Sequence, residues 1–237
     1  MKLNKVFVIH YTRLKERRKK VLEIFKNIPI QYEFIEEYDK DDFTKEIVDQ
    51  FYKADKDMFE HKIETAFNPP EWDLRENWFR VLNDAEISCT IKHICALKKV
   101  SEQEDDFCLV VEDDILPSFE NPFDKIDLII EQAPKDWDAI FLGQGCGYDF
   151  ISSKIDNLKQ ISDNLFYVPP PSTNCAEAYL IKKDTAKKIY ESIIPFQLVS
   201  DWELAYQFYK LNMNVYWSLP SLFYQGSKSG DYNSTLR

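Results

Sequence analysis

Three carboxylates stand together at Glu112-Asp113-Asp114, directly after the apolar pair Val110-Val111. Like charges this close are tolerated when water surrounds them or when a divalent cation neutralises them. Carboxylate oxygens suit Mg2+ or Mn2+. An ion held there would bridge a diphosphate and neutralise charge on a leaving nucleotide. Alternate residues of an extended chain point to opposite sides, so Glu112 and Asp114 would share one side. The competing reading is a solvated acidic loop, ordinary in a chain with 41 Asp and Glu.

Four further groups carry chemistry-bearing types. His10, Tyr11, Thr12, Arg13 and Arg17 follow the first apolar run and suit a base, ribose or phosphate; an ordinary loop and helix start weighs equally. Ser88, Cys89, Thr90 and His93 fall on one helix. There His93 reads as a structural hydrogen-bonder ahead of a catalyst. Cys89 reads as packing, because no local feature lowers its thiol pKa. Ser200-Asp201-Trp202-Glu203 occupies a helix start with Ser200 as the cap. The helix dipole explains acids there, and the position also suits a general base. Gln225, Ser227, Lys228 and Ser229 follow Pro220, where the tail could fold back over a ligand.

Local patterns say which elements position these groups. Val6–Ile9 is short, continuous and β-prone. Leu14, Val21, Leu22 and Phe25 recur at helical spacing until Pro29. Ile30, Tyr32 and Phe34 alternate as a second strand. This β-α-β order makes a parallel sheet the default. Asn83 and Glu86 have capping-box spacing ahead of Ile87, Ile91, Ile94 and Leu97. Phe107–Val111 is apolar on both faces, the mark of a central strand. Ligands of open α/β sheets bind at the carboxyl ends of strands, so the loop at His10 and the acids at 112–114 should open on one edge. Asn121-Pro122 starts a helix with Pro at its first position. Strands are expected over 139–142, 165–168, 177–181 and 215–217, with helices over 184–194 and from 200. Residues 40–82 read as an irregular helical insertion, and no linker divides the chain: one domain, 1–237, is expected.

Composition bounds the function. The 237 residues carry 30 Lys and Arg against 41 Asp and Glu, a net charge of −11. An acidic chain repels polyphosphate, so nucleic acid is not expected as a partner. All five Gly lie at or beyond Gly143, which excludes a P-loop or dinucleotide fingerprint after the first strand. Five scattered Cys without a CxxC pair fit reduced thiols. No apolar run approaches the roughly 18 residues that span a bilayer, and Met1–Lys5 does not open a signal peptide. The expectation is a cytoplasmic protein, or one peripheral at a membrane surface.

The order of these segments resembles glycosyltransferase family 25, which includes bacterial lipooligosaccharide galactosyltransferases and the transferase domains of collagen-hydroxylysine galactosyltransferases. Ile9-His10-Tyr11-Thr12-Arg13-Leu14-Lys15-Glu16-Arg17 is similar to the family's I-N-L-x-R-x-x-R. Ala85-Glu86-Ile87-Ser88-Cys89-Thr90-Ile91-Lys92-His93 is similar to G-E-I-G-C-x-x-S-H. Val111-Glu112-Asp113-Asp114 matches L-E-D-D, and Tyr179-Leu180-Ile181, Ser200-Asp201-Trp202 and the Pro220, Gln225, Ser229 series look like later segments. His10 stands where the family has Asn, Ala85 and Ser88 where it has Gly, and Lys92 where it has Ser.

The resemblance implies an α/β, GT-A-type Rossmann-like domain with a mixed, mainly parallel sheet flanked by helices. It implies transfer of a hexose, galactose or glucose first, from a UDP-linked nucleotide sugar to a hydroxyl of a glycan, lipooligosaccharide or protein, with inversion. Glu112 and Asp114 would hold a divalent cation, Mn2+ before Mg2+. His10, Thr12, Arg13, Arg17, His93, Asp113, Thr173, Asn174 and Gln225 would bind the nucleotide sugar. Asp201 would be the base, with Glu203 as its alternative. The substituted motif positions leave a second reading, a catalytically inactive binding module of the same family. A glycoside hydrolase is disfavoured because its acids must face each other across a cleft, and a nucleotidyltransferase would release pyrophosphate.

Overall fold

The computed structural model describes residues 2–67, 79–145, 158–171 and 175–234. The opening run forms β1 (Lys5–Ile9), α1 (Lys15–Phe25) and β2 (Gln31–Ile35). Short helices α2 (Lys45–Phe51) and α3 (Lys56–Lys62) follow, with a π-helical turn over Ile63–Phe67. The Asn83 signal opens α4 (Asp84–Ser101) as a complete capping box: the Asn83 side chain accepts from the amides of Ala85 and Glu86, and the Glu86 carboxylate accepts from that of Asn83. Then come β3 (Phe107–Glu112), β4 (Ile115–Pro117), α5 (Phe123–Gln132) and β5 (Ala139–Phe141). The rest is β6 (Lys159–Ser162), β7 (Leu165–Tyr167), β8 (Ala178–Lys182), α6 (Lys183–Tyr190), α7 (Ser200–Lys210), β9 (Val215–Ser218), β10 (Phe223–Gln225) and the short α8 (Gly226–Ser229).

Eight strands join in the order β2-β1-β3-β8-β5-β9-β7-β6, and β10 pairs with β4 beside them. The sheet is mixed, as expected, and helices flank it. The parallel majority is corrected: β1–β2, β1–β3 and β5–β9 are parallel, and the other four pairings are antiparallel. β8 enters reversed between β3 and β5, which local periodicity does not encode.

The central strands feed two cores by simple alternation. Phe7, Cys108, Val110, Tyr179 and Ile181 pack with Ile91, Ile94 and Leu97 of α4 and with residues of α6 and α7. Val6, Val8, Leu109, Val111 and Leu180 pack with Val21 and Phe25 of α1 and with Ile126, Ile129 and Ile130 of α5. Each fully buried Val, Leu, Ile or Phe contributes about 1.5–3 kcal/mol. Pro122 sits at the N-cap of α5 rather than at its first position. Ser200 is likewise the first residue of α7; Val199 is the cap, without a capping side chain. Among the described residues no helix is long and apolar enough to cross a membrane.

The inserted helices are tied to the sheet domain at several points. Tyr52 bridges to Phe196, and the Leu82 amide donates to the Tyr52 hydroxyl. Lys62 of α3 meets Glu203 of α7 as a buried ion pair.

Candidate active site

Register builds the site. β1 and β3 are parallel neighbours with Ile9 opposite Glu112, so the residues that follow each strand emerge side by side. β8 runs the other way and therefore starts at this same edge; the Glu112 amide donates to the Glu177 carbonyl. β10 places Gln225 opposite Ile115, and the Gly226 amide donates to the Asp114 carbonyl. The C-terminal segment thus folds back onto the acids.

The three acids take different roles. Asp113 is already neutralised: Nδ1 of His10 lies 2.7 Å from its Oδ2, and the Arg17 guanidinium donates to its Oδ1 at 2.8 Å. Asp114 is buried, and its Oδ1 has no hydrogen-bond partner among the described residues. Burial, then the adjacent Glu112, push the Asp114 carboxyl up to about 6, against Ser227 and Arg17. Glu112 ends β3 with one oxygen 3.3 Å from His93 Nε2 and the other accepting from the Gln225 amide at 2.9 Å. Nδ1 of His93 lies 3.1 Å from the Tyr179 hydroxyl. His93 thus stands between Tyr179 and Glu112.

The loop after β1 divides its residues. Arg17, Val21 and Phe25 form the buried stripe of α1. Arg17 therefore turns inward to Asp113, and its second nitrogen donates to the Asn233 carbonyl at 2.6 Å. Arg13 precedes the helix, is 69% exposed and pairs with Asp41. It does not line the cleft. Thr12 turns onto Asp39, which also meets Lys92 at 2.7 Å. Thr173 and Asn174 lie outside the described residues.

Asp201 is half-buried in the first turn of α7. Its oxygens accept from the amides of Cys175 (3.2 Å) and Trp202 (2.9 Å). Burial raises its pKa, and Glu112 adds to the rise against those two amides. The helix start alone would have favoured the ionised form; burial outweighs it. Glu203 is no alternative base, because its carboxylate is buried against Lys62 and the amides of Gln197 and Leu198. Burial pushes the Cys89 thiol well up, with Glu112 adding to it, so Cys89 is no ready nucleophile.

Two clefts meet here. Tyr11, Arg17, Lys40, Asp113, Asp114 and Ser227 line one. Arg80, Cys175, Ser200, Asp201 and Lys228 line the other. Cys89, Glu112 and Gln225 line both, forming a shared wall. Asp113 and Asp114 thus line the first cleft, Asp201 the second, and Glu112 reaches both.

Glu177 was not read as functional, although an acid inside Ala176–Ile181 is the signal that marks it. Its buried carboxylate accepts from the Gly145 amide at 2.6 Å. A Cβ at Gly143 would stand 2.3 Å from the same oxygen, so any larger residue there would displace the Glu177 side chain. Burial pushes Glu177 up to about 7, the Gly145 amide opposing. The ordinary value is 4.5. Between these values the folded chain keeps a proton that the unfolded chain has lost, so stability falls as pH rises through that window. Glu177→Gln has no such proton to lose. Its melting temperature should fall less than that of wild type from about pH 5 to about pH 8. Parallel curves would contradict the assignment.

No curated protein matches the chain. Residues 3–203 match glycosyltransferase family 25 (LPS biosynthesis protein), a span that takes in β1, the acids at 112–114 and Asp201.

Proposed function

The chain belongs to glycosyltransferase family 25, and from that premise we propose that it transfers a hexose, galactose or glucose first, from a UDP-linked nucleotide sugar to a hydroxyl of a glycan, lipooligosaccharide or protein, with inversion. The observation that carries this reading is the pair of clefts parted by Cys89, Glu112 and Gln225. Single displacement needs a leaving group on one side of the reacting carbon and a base on the other. The compartment with Arg17, Lys40 and Asp114 suits a nucleoside diphosphate. The compartment with Asp201 suits the acceptor hydroxyl, and the shared wall is where the sugar would cross.

Glu112 and Asp114 fit a divalent cation, Mn2+ before Mg2+. The partnerless Asp114 oxygen and the raised Asp114 pKa are what such an ion would relieve. When bound, the ion would neutralise charge on the departing diphosphate. His93 and Gln225 hold Glu112 in place for it, and Arg17 holds Asp113. Asp113 serves as a brace between β1 and β3 rather than as a ligand.

The test is a panel of nucleotide sugars with Mn2+, scored for slow nucleotide release without an acceptor. UDP release from one sugar nucleotide is expected. Binding without release by any of them would favour the inactive module, and pyrophosphate release would overturn the transferase. Asp114→Asn should weaken UDP binding in Mn2+ by about tenfold or more, measured by calorimetry, while leaving binding in excess chelator unchanged. Equal wild-type affinity with and without chelator would sink the metal role.

A further inference from the structure

Beside these acids lies a set of ligating atoms of another chemical kind. Cys89 and His93 are four residues apart on α4, so both side chains face one way, toward the end of β3. Sγ of Cys89, a ring nitrogen of His93 and a carboxylate oxygen of Glu112 all lie within 4.8 Å of one another. We propose that these three residues bind a thiophilic divalent cation, Zn2+, at a site that shares only Glu112 with the Glu112–Asp114 pair.

The atoms decide the class of metal. Thiolate and imidazole select Zn2+ over the hard ions Mg2+ and Mn2+. Two ligands about 2.0 Å from one tetrahedral ion stand about 3.3 Å apart. His93 Nε2 and Glu112 Oε1 are 3.3 Å apart. The Cys89 sulfur, within 4.8 Å of both, completes the set.

Each ligand also has an outer partner, the arrangement that fixes ligand orientation in metal sites. The Tyr179 hydroxyl lies 3.1 Å from His93 Nδ1. A hydroxyl both donates and accepts, so its oxygen can accept a hydrogen bond from Nδ1–H when Nε2 turns its lone pair to an ion. Gln225 holds the second oxygen of Glu112 at 2.9 Å, and the Ser200 hydroxyl lies 3.9 Å from Cys89 Sγ. Cys89 and Glu112 line both clefts, so a fourth position opens to solvent. Three protein ligands with an open position make an exchangeable site rather than a closed structural one. Occupancy would take Glu112 away from Asp114, so Zn2+ would oppose Mn2+-dependent nucleotide binding. That consequence rests on the proposed transfer chemistry; the binding of Zn2+ does not.

Cd2+ is the probe, because its bond to a thiolate gives an ultraviolet charge-transfer band. Chelator-stripped protein titrated with Cd2+ should show the band at one equivalent, and Zn2+ should displace it. Cys89→Ser should abolish the band, and His93→Gln should weaken Cd2+ binding about tenfold or more. Asp114→Asn should leave the band intact. No band in wild type, a band that survives Cys89→Ser, or a band lost in Asp114→Asn would each overturn the site. Mn2+-dependent UDP binding measured on the same preparations separates the two readings: either can fail while the other stands.

Discussion

Asp201→Asn is expected to lower sugar transfer by roughly 10²–10⁴-fold, the usual contribution of a general base, while UDP affinity stays near wild type. The substitution keeps the shape and removes the basicity. Asp201 suits the role on three counts. It lines a cleft separate from that of Asp114, and Cys89, Glu112 and Gln225 line both. The amides of Cys175 and Trp202 fix its carboxylate. Its pKa is raised by burial and by Glu112, which brings it nearer the operating pH and makes it a stronger proton acceptor. The rising limb of the pH–rate profile should therefore lie above the ordinary aspartate value of 3.8. An asparagine cannot accept from both amides in the same way, so a stability cost of about 0.5–1.5 kcal/mol should accompany the loss. A variant with that cost but nearly full turnover would make Asp201 a helix-start residue and nothing more. Rate and melting temperature measured on one preparation decide between the two.

How much of this was legible depends on whether the cause is local. β1, α1, β2, the α4 capping box and β3 follow from periodicity and cap chemistry within a few residues, and they appear as read. The acids at the end of β3 and the loop after β1 do meet, because parallel neighbours bring their carboxyl ends to one edge. The reversed entry of β8 and the β4–β10 pair depend on partners far along the chain. So does the division of labour among the acids. Nothing within Glu112–Asp114 says that His10 and Arg17 will consume Asp113. One distinction was available: Arg17, Val21 and Phe25 share the i, i+4 stripe of α1, and Arg13 lies outside it. Ser200 misled as a cap because the residue type was right and the helix began one position earlier than expected.

Lys62→Met is expected to destabilise the protein by about 3–5 kcal/mol, the cost of leaving a buried charge without its partner. The Lys62 ammonium donates to both Glu203 oxygens, at 2.6 and 2.7 Å, with side-chain exposures of 4% and 0%. The same carboxylate accepts from the amides of Gln197 and Leu198 and from the Gln207 side chain. Glu203→Leu should cost at least as much, because it strips these donors as well. The double variant should be more stable than the sum of the two losses implies, since neither charge is then left alone; strict additivity in denaturant melts would mean that the pair carries no coupling. The pair also has a functional reach. Glu203 lies two residues after Asp201, and Lys62 comes from the inserted α3, so the insertion holds the turn that presents the proposed base. Lys62→Met should therefore lower transfer even at temperatures where the chain is fully folded, with nucleotide affinity unchanged, because the cleft that contains Arg17 and Asp114 does not touch it. Equal loss of transfer and of UDP affinity would mean general unfolding. Selective loss of transfer would give the insertion a task that its sequence does not announce: setting the angle at which Asp201 meets the acceptor.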